Sequence, residues 1–266
     1  MIKTGFEYFD ETIHDLEKYR LILIGERPNI GKTAFVVSLA RNIAVDQQIP
    51  MALFSLELSS EQVLSRVTCN VCRLDYNKVI NGQLSDKEKD FFASTQEKLK
   101  ESPLYIDDSK ALSVSDFACK LRNTIKEHKV KVVIVDYLQL MKANKNRESS
   151  KQESTYVLKC LRKLADELHI TIVLMSLLQR RRKRTQEKPT LHSLKAMVSS
   201  FDKYAELAAL IYVPDYYYSF LPDIEMKENN SDYIASITIE TNHFGPKKSF
   251  LLFFNIGACR LYNRIV

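Results

Sequence analysis

From residue 20 to residue 176 the sequence alternates short apolar, β-prone runs with segments of helical spacing, and this alternation constrains the fold more than any other feature. RLILIG (20–25) reads as a fully buried strand, and KTAFVVSLARNIAVD (32–46) carries apolar residues at helical intervals. PMALFSLE (50–57) is the next strand, followed by the helix SSEQVLSRVTCNV with Ser59 or Ser60 as its cap. The short strand PLYIDD and the helix SVSDFACKLRNTIKEH (113–128) come next. The strongly apolar strand KVVIVDYLQLM (131–141), the helix ESTYVLKCLRKLADEL and the strand ITIVLMS (170–176) complete the series. Strands buried on both faces and joined through helices pair in parallel. The sequence therefore predicts an α/β fold with a mostly parallel sheet and helices on both of its faces. Beyond residue 209, ALIYV, DYIASITIET, KSFLLFFN and ACRLYN follow one another closely, which predicts antiparallel strands extending one edge near the C-terminus.

The 266 residues suit one large domain, and neither an internal repeat nor a separating linker divides them. Apolar runs are strand-length, so the sequence predicts no membrane span and no signal peptide, and a cytoplasmic location by default. Net charge is +6, too modest to name a partner by itself; where the basic residues fall matters more. The five cysteines include a CxxC, Cys69 and Cys72, with no second pair or nearby histidine to complete a zinc site. In a helical context these are expected to be buried structural thiols.

GERPNIGKTAF (25–35) stands between the first strand and the first long helix, as a phosphate-binding loop requires. In such a unit Gly31 lets the backbone approach the phosphates, Lys32 reaches the β- and γ-phosphates, and the Thr33 hydroxyl joins Mg²⁺. Lys32 has no core role in the helix pattern. The standard motif G-x-x-x-x-G-K-S/T has glycine where this chain has Glu26. Asp136, closing VVIVD on another strand, suits a Mg²⁺ shell, and Glu57, closing LFSLE, suits a general base acting on water.

TGFEYFD (4–10), ERPNIGKTAF (26–35), LFSLELSSEQ (53–62), VVIVDYLQLM (132–141) and LHSLK (191–195) fall in an order that resembles bacterial DnaB-like replicative helicases. The likeness is to their carboxy-terminal RecA-like motor domain, and it spans essentially the whole chain. That family typically carries ARPSMGKT at the loop, so Glu26 stands where the first glycine is already abandoned, and Arg27–Pro28 is a family trait. The resemblance implies a RecA-like P-loop fold over residues 1–266. It implies ATP binding by Arg27, Pro28, Asn29, Ile30, Gly31, Lys32, Thr33 and Ala34, and Mg²⁺ at Thr33 and Asp136. Glu57 and Lys32 are the implied catalytic groups. It further implies a homo-oligomeric ring, a hexamer, that binds ATP at subunit interfaces and translocates on single-stranded DNA. The family's amino-terminal primase-interacting domain, through which primase and a helicase loader would be engaged, is not in this sequence.

Three positions depart from the family pattern. MSLLQR replaces LSQLSR, which puts Leu177 at the polar γ-phosphate sensor with Gln179 two residues on. TNHFGP replaces KQRNGP, so Thr241 and His243 stand where a lysine and an arginine finger belong, and His243 takes the finger's catalytic place without a permanent guanidinium. AMVSSFDKYAEL replaces an acidic, glycine-rich stretch. These departures keep open a second reading, a nucleotide-binding, DNA-associated accessory protein with little or no turnover. Two basic loops, KANKNRESSKQES (142–154) and QRRRKRTQEKPT (179–190), sit where the family turns loops toward a central DNA channel. The expected phosphate contacts are Lys142, Lys145, Arg147, Lys151, Arg180, Arg181, Arg182, Lys183, Arg184, Lys188 and Lys195. DYYYSF (215–220) is expected either on the adenine or ribose or in a surface turn.

Overall fold

The computed structural model describes residues 1–28, 31–143, 149–179, 188–214 and 232–263. The apolar runs form strands β1 (Leu21–Glu26), β2 (Met51–Ser55), β3 (Leu104–Asp107), β4 (Val132–Asp136), β5 (Thr171–Leu177) and β6 (Leu207–Tyr212). All of these pair in parallel, in the order β3-β2-β4-β5-β1-β6. Strands β7 (Tyr233–Asn242), β8 (Ser249–Asn255) and β9 (Arg260–Asn263) add on in antiparallel fashion beyond β6, giving a nine-stranded sheet.

The helices are α1 (Glu7–Ile13), α2 (Lys32–Ala40), α3 (Ser60–Cys72), α4 (Tyr76–Ile80), α5 (Asp86–Lys100), α6 (Val114–His128), α7 (Ser150–Leu168) and α8 (Leu191–Met197). A right-handed crossover fixes their side of the sheet. From β1 through β2 to β3 the chain steps toward one edge, and α2, α3 and α5 pack with Ile22 and Ile24 on one face. From β3 through β4 and β5 to β6 it steps back, and α6, α7 and α8 pack with Leu21 and Leu23 on the opposite face. The inner faces of β7 and β8 join the α2 side through Ala235, Ile237, Phe250, Leu252 and Phe254. None of the helices among the described residues is long and apolar enough to cross a membrane.

Several sequence expectations need correction. ALIYV is not the first antiparallel strand: β6 pairs parallel with β1, and direction reverses only at β7. KVVIVDYLQLM does not run extended to residue 141, because the strand ends at Asp136 and Leu138–Leu140 form a 3₁₀ turn. Gln139 in that turn does for the end of β5 what a neighbouring strand would: its side chain accepts from the Leu177 amide and donates to the Leu177 carbonyl, each at 3.0 Å. Glu57 does not end a strand, since β2 stops at Ser55. The basic loop 142–154 is shorter than it reads, because Ser149 caps α7 and the last residues of the segment are helical. At α3 the cap is Ser59, whose hydroxyl and the Gln62 side chain each accept the other residue's amide in a capping box.

The motif TGFEYFD is a local fold. The Asp10 carboxylate accepts from the amides of Thr4 and Gly5 at 2.7 and 3.0 Å, and from the Thr4 hydroxyl at 2.8 Å. Gly25, the residue before Glu26, is packed just as tightly. A β-carbon there would stand 2.7 Å from Leu194 on α8 and 2.9 Å from Leu210 on β6. Gly25→Ala is therefore expected to destabilise the chain by about 1–3 kcal/mol through overpacking. Urea denaturation checks it; an unchanged midpoint would mean that α8 shifts freely off β1.

Candidate functional site

Strand register gathers the chemistry at one edge. Glu26 lies beside Leu177 and Ile211, and Ser55 beside Asp136, so the ends of β1, β2, β4, β5 and β6 share the carboxyl edge of the sheet. Open α/β sheets bind ligands outside this edge. Helix α2 begins here with Lys32, and Gly31 before it adopts φ +127°, a backbone that favours glycine. The Phe254 ring closes the space above Gly31, 3.0 Å from where a β-carbon would stand.

The Lys32 ammonium lies 2.7 Å from Asp136 Oδ1 and 2.8 Å from Glu57 Oε2, and 4.1 Å from the centre of the Tyr137 ring. Lys32 is 8% exposed and Asp136 3%, whereas the Glu57 side chain is about half exposed at 52%. Lys32 is thus part of the packed interior, contrary to the expectation that it has no core role. Burial alone would lower its pKa; the Asp136 and Glu57 carboxylates outweigh that and hold it above the ordinary lysine value. Burial raises the Asp136 carboxyl above the usual range, although Lys32 pulls it down. Glu26 is fully buried beneath the loop, and burial pushes its carboxyl well above the usual range.

A cavity of about 420 Å³ opens beside Lys32. Pro28, Gly31, Lys32, Thr33, Ala34, Glu57 and Leu177 line it, so the structure brings these sequence candidates together. Arg27 is buried, and Asn29 and Ile30 lie outside the described residues. Arg66, Phe254, Ile256 and Cys259 line the same cavity and were missed from sequence. Arg66 had a signal, because it projects from the capped helix that follows Glu57; its Nη1 donates to the Tyr76 hydroxyl at 2.9 Å, and the guanidinium stacks 4.0 Å from that ring's centre. The other three reach the cavity through the β8–β9 hairpin and had none. Hard oxygen donors at Thr33 and Asp136 fit Mg²⁺, which takes few protein ligands beside phosphates and water. No group of three or more His, Cys, Asp or Glu among the described residues suggests a softer or fully protein-held metal.

Other candidates stand apart. His243 is exposed at the end of β7 and does not line the cavity; its amide donates to the Glu206 carbonyl at 2.9 Å, and its ring meets Phe244 edge-on. Thr241 lies in β7, Gln179 is exposed just past β5, and Lys248 sits 3.5 Å from Glu11. Lys142, Lys151, Lys188 and Lys195 are exposed. Lys145, Arg147, Arg180, Arg181, Arg182, Lys183, Arg184 and the tyrosine run 215–220 lie outside the described residues. Burial pushes the Cys69 thiol up to about 12 and the Cys259 thiol up to about 11, which makes both poor nucleophiles and metal ligands at neutral pH.

A sequence model of the DnaB-like helicase C-terminal domain matches residues 1–263. The chain belongs to that family. The replicative DNA helicase DnaB of Geobacillus stearothermophilus is 29% identical over 266 residues, which is 100% of this chain and 56% of that protein. The chain thus spans little more than half the length of the curated relatives it matches. The solved structure of a DnaB-like replicative helicase, described with its interactions with primase, superposes with a TM-score of 0.87 at 23% identity, over 99% of this chain and 62% of that one. A second solved structure, an isolated ATPase domain, gives 0.86 at 23% identity, over 99% of this chain and 91% of that one. The fold is therefore the RecA-like one, and in this member of the DnaB-like family the loop lysine is buried against two carboxylates.

That burial has a measurable cost when the lysine is lost. Lys32→Ala leaves Asp136 buried without its cation, and the unliganded protein is expected to lose about 3 kcal/mol at pH 7. Asp136 in the fold titrates above its unfolded value, so its protonated form favours folding and that contribution is lost as pH rises through the folded pKa. The deficit of the variant should accordingly shrink in acid. Urea denaturation at pH 5 and pH 8 checks this, and an equal deficit at both would refute it.

Proposed function

We propose that residues 1–266 form the motor domain of an ATP-dependent DnaB-like helicase, binding ATP with Mg²⁺ at subunit interfaces of a hexameric ring and translocating on single-stranded DNA. The observation that carries this reading is the Lys32 ammonium, held at 2.7 and 2.8 Å between Asp136 and Glu57 at the mouth of the loop and beside an open cavity. Arriving phosphates compete with both carboxylates for Lys32. As Lys32 turns to them, Glu57 is released from its ion pair and becomes free to take a proton from water. Gly31 and the amides at the start of α2 face the phosphate chain, and Thr33 and Asp136 supply the oxygens for Mg²⁺. Bound there, the metal neutralises charge on the phosphates. The exposed Lys142, Lys151, Lys188 and Lys195, with the basic residues at 145, 147 and 180–184, are the proposed contacts to DNA phosphates. Primase and a helicase loader are further proposed partners, engaged through the part of the relatives that this chain does not span.

A specific observation also favours the reading with little turnover. Leu177 lines the cavity at the end of β5, where a γ-phosphate sensor would need a polar side chain. ATP turnover with and without single-stranded DNA, on an assembly of known stoichiometry, separates the two. On the motor reading, Glu57→Gln retains Mg-ATP affinity within about twofold and loses at least about a hundredfold in turnover, the scale of general base catalysis. Turnover at the wild-type rate in that variant would remove Glu57 from the chemistry.

The exposed His243 supplies the second test. An arginine finger from a neighbouring subunit is worth about a thousandfold or more, and imidazole lacks the fixed charge and the fork. Wild-type turnover should be slow, and His243→Arg should raise it about tenfold or more in the assembled ring, with no gain in dilute monomer. A slower arginine variant would place the finger elsewhere, with Lys247 and Lys248 the first alternatives.

A further inference from the structure

Lys32 meets Asp136 at the end of β4, whereas the basic segment 179–190 follows β5. Backbone pairing between these two strands stops short of both places, because their ladder ends with Val135 opposite Leu174. Beyond that point a side chain takes over from the ladder. Gln139 Nε2 donates to the buried Ser176 hydroxyl and to the Leu177 carbonyl, and Gln139 Oε1 accepts from the Leu177 amide, each at 3.0 Å. Both donors of the side-chain amide are thus in use, and its oxygen with them. The same short segment reaches Lys32 at its other end. Asp136 Oδ1 lies 2.7 Å from the ammonium, the Tyr137 ring centre 4.1 Å from it, and Gln139 follows two residues later. Amides of Leu140 and Met141 bond back to the carbonyls of Tyr137 and Leu138 at 3.1 and 3.0 Å, which makes the turn one hydrogen-bonded unit.

We propose that Gln139 is a positioning residue that couples phosphate binding at Lys32 to the affinity of the segment beyond β5 for single-stranded DNA, an inference that rests on the nucleotide and DNA readings above. Leu177 lines the cavity, but its side chain has no polar atom with which to bond a phosphate, so β5 cannot register the ligand directly. Gln139 bonds the backbone of that residue, and this link holds whatever side chain stands at 177. Phosphates that draw Lys32 away remove the contacts holding Asp136 and the Tyr137 ring on the loop's side of the turn. Three hydrogen bonds then carry any shift of the turn to Ser176 and Leu177. On its other side the end of β5 is tied to β1, since the Leu178 amide donates to the Glu26 carbonyl at 2.7 Å. The strand end is therefore held between the residue that opens the phosphate loop and the turn that follows Asp136. Both of its neighbours touch the nucleotide site, and its own continuation is the basic segment. Coupling of this kind needs a contiguous element that both ligands bias, and the turn with the end of β5 is that element.

The test compares wild type with Gln139→Met, which keeps the length of the side chain and removes its hydrogen bonds. Affinity for a dye-labelled oligothymidylate is measured at fixed salt, without nucleotide and with a saturating, slowly hydrolysed Mg-ATP analogue, on assemblies of known stoichiometry. Affinity for the analogue alone is measured by titration calorimetry. In wild type the analogue should change DNA affinity by about fivefold or more, and in Gln139→Met by no more than about twofold. Analogue affinity without DNA should stay within about threefold of wild type, which separates lost coupling from a damaged site. If Gln139→Met fails to fold, Gln139→Glu carries the same comparison, because it lacks the donors and leaves the Leu177 carbonyl unbonded. Full coupling in the variant overturns the proposal, and so does a variant that loses analogue affinity to the same extent as coupling. A wild type that binds the analogue but shows the same DNA affinity with and without it, or no DNA affinity, overturns the proposal and leaves the nucleotide site standing. A wild type that does not bind the analogue overturns the nucleotide-site reading, and this proposal with it.

Discussion

A buried ammonium against a buried carboxylate sets the terms for the rest of this structure. Lys32 and Asp136 are both nearly inaccessible, and taking two charges out of water is repaid only when they meet at close range. Lys32 belongs to the unit β1–loop–α2 and Asp136 to β4, and strand β5 runs between β1 and β4. The 2.7 Å contact therefore requires correct register across three neighbouring strands. The sheet answers with continuous parallel pairing from Leu21 opposite Ile172 through Glu26 opposite Leu177. Gln139 then closes the end of β5 with side-chain hydrogen bonds, so the gap between the two charged strand ends stays fixed.

The C-terminal hairpin is tied to the same centre by a second buried polar network. Asn70 on α3 donates to the Ser38 hydroxyl on α2 at 3.0 Å and to the Cys259 carbonyl at 2.8 Å, and Ser38 accepts from the Leu261 amide at 2.8 Å. These bonds tie α2 and α3 to β9, which lies far from both in sequence. They hold Phe254, Ile256 and Cys259 against the opening beside Lys32. A cavity wall from the last strands of the chain thus covers a loop from its first, and both ends of the sequence contribute to one site.

The legible parts of the molecule are those whose physics is local. Strands β1, β2, β4 and β5 are buried on both faces, so each appears as an unbroken apolar run bounded by turn residues. Lys32, Thr33, Glu57 and Asp136 were readable because each stands at or shortly after the carboxyl end of a strand, where ligand chemistry collects in such sheets. Helices α4 and α5 were missed for the opposite reason. Among their residues only Leu99 is buried, so DKEKDFFASTQEKLK carries no apolar stripe to mark it. Arg66 and the hairpin residues gained their place through tertiary packing, which leaves no local signature. The burial of Lys32 was also invisible, since a lysine at a helix start reads as solvated unless its partners are known.

The depth of Asp136 links the parts of the proposed site to one another. Ionised and alone at that depth, its carboxylate would be strongly disfavoured, and in the unliganded chain Lys32 relieves it. If phosphates draw Lys32 away, Asp136 needs another cation in its place. Arg66 stays committed to Tyr76 on the far wall of the cavity, and Lys248 to Glu11 on α1. With the Thr33 hydroxyl in the first turn of α2, a chemically suited replacement would be a hard divalent ion accompanying the phosphates of the proposed ligand. On the proposed reading, Asp136 would help hold the metal once Lys32 had turned to the phosphates. Nucleotide without metal would leave a buried charge uncompensated, so the two should enter together because of where Asp136 is buried, and not only because they associate in solution.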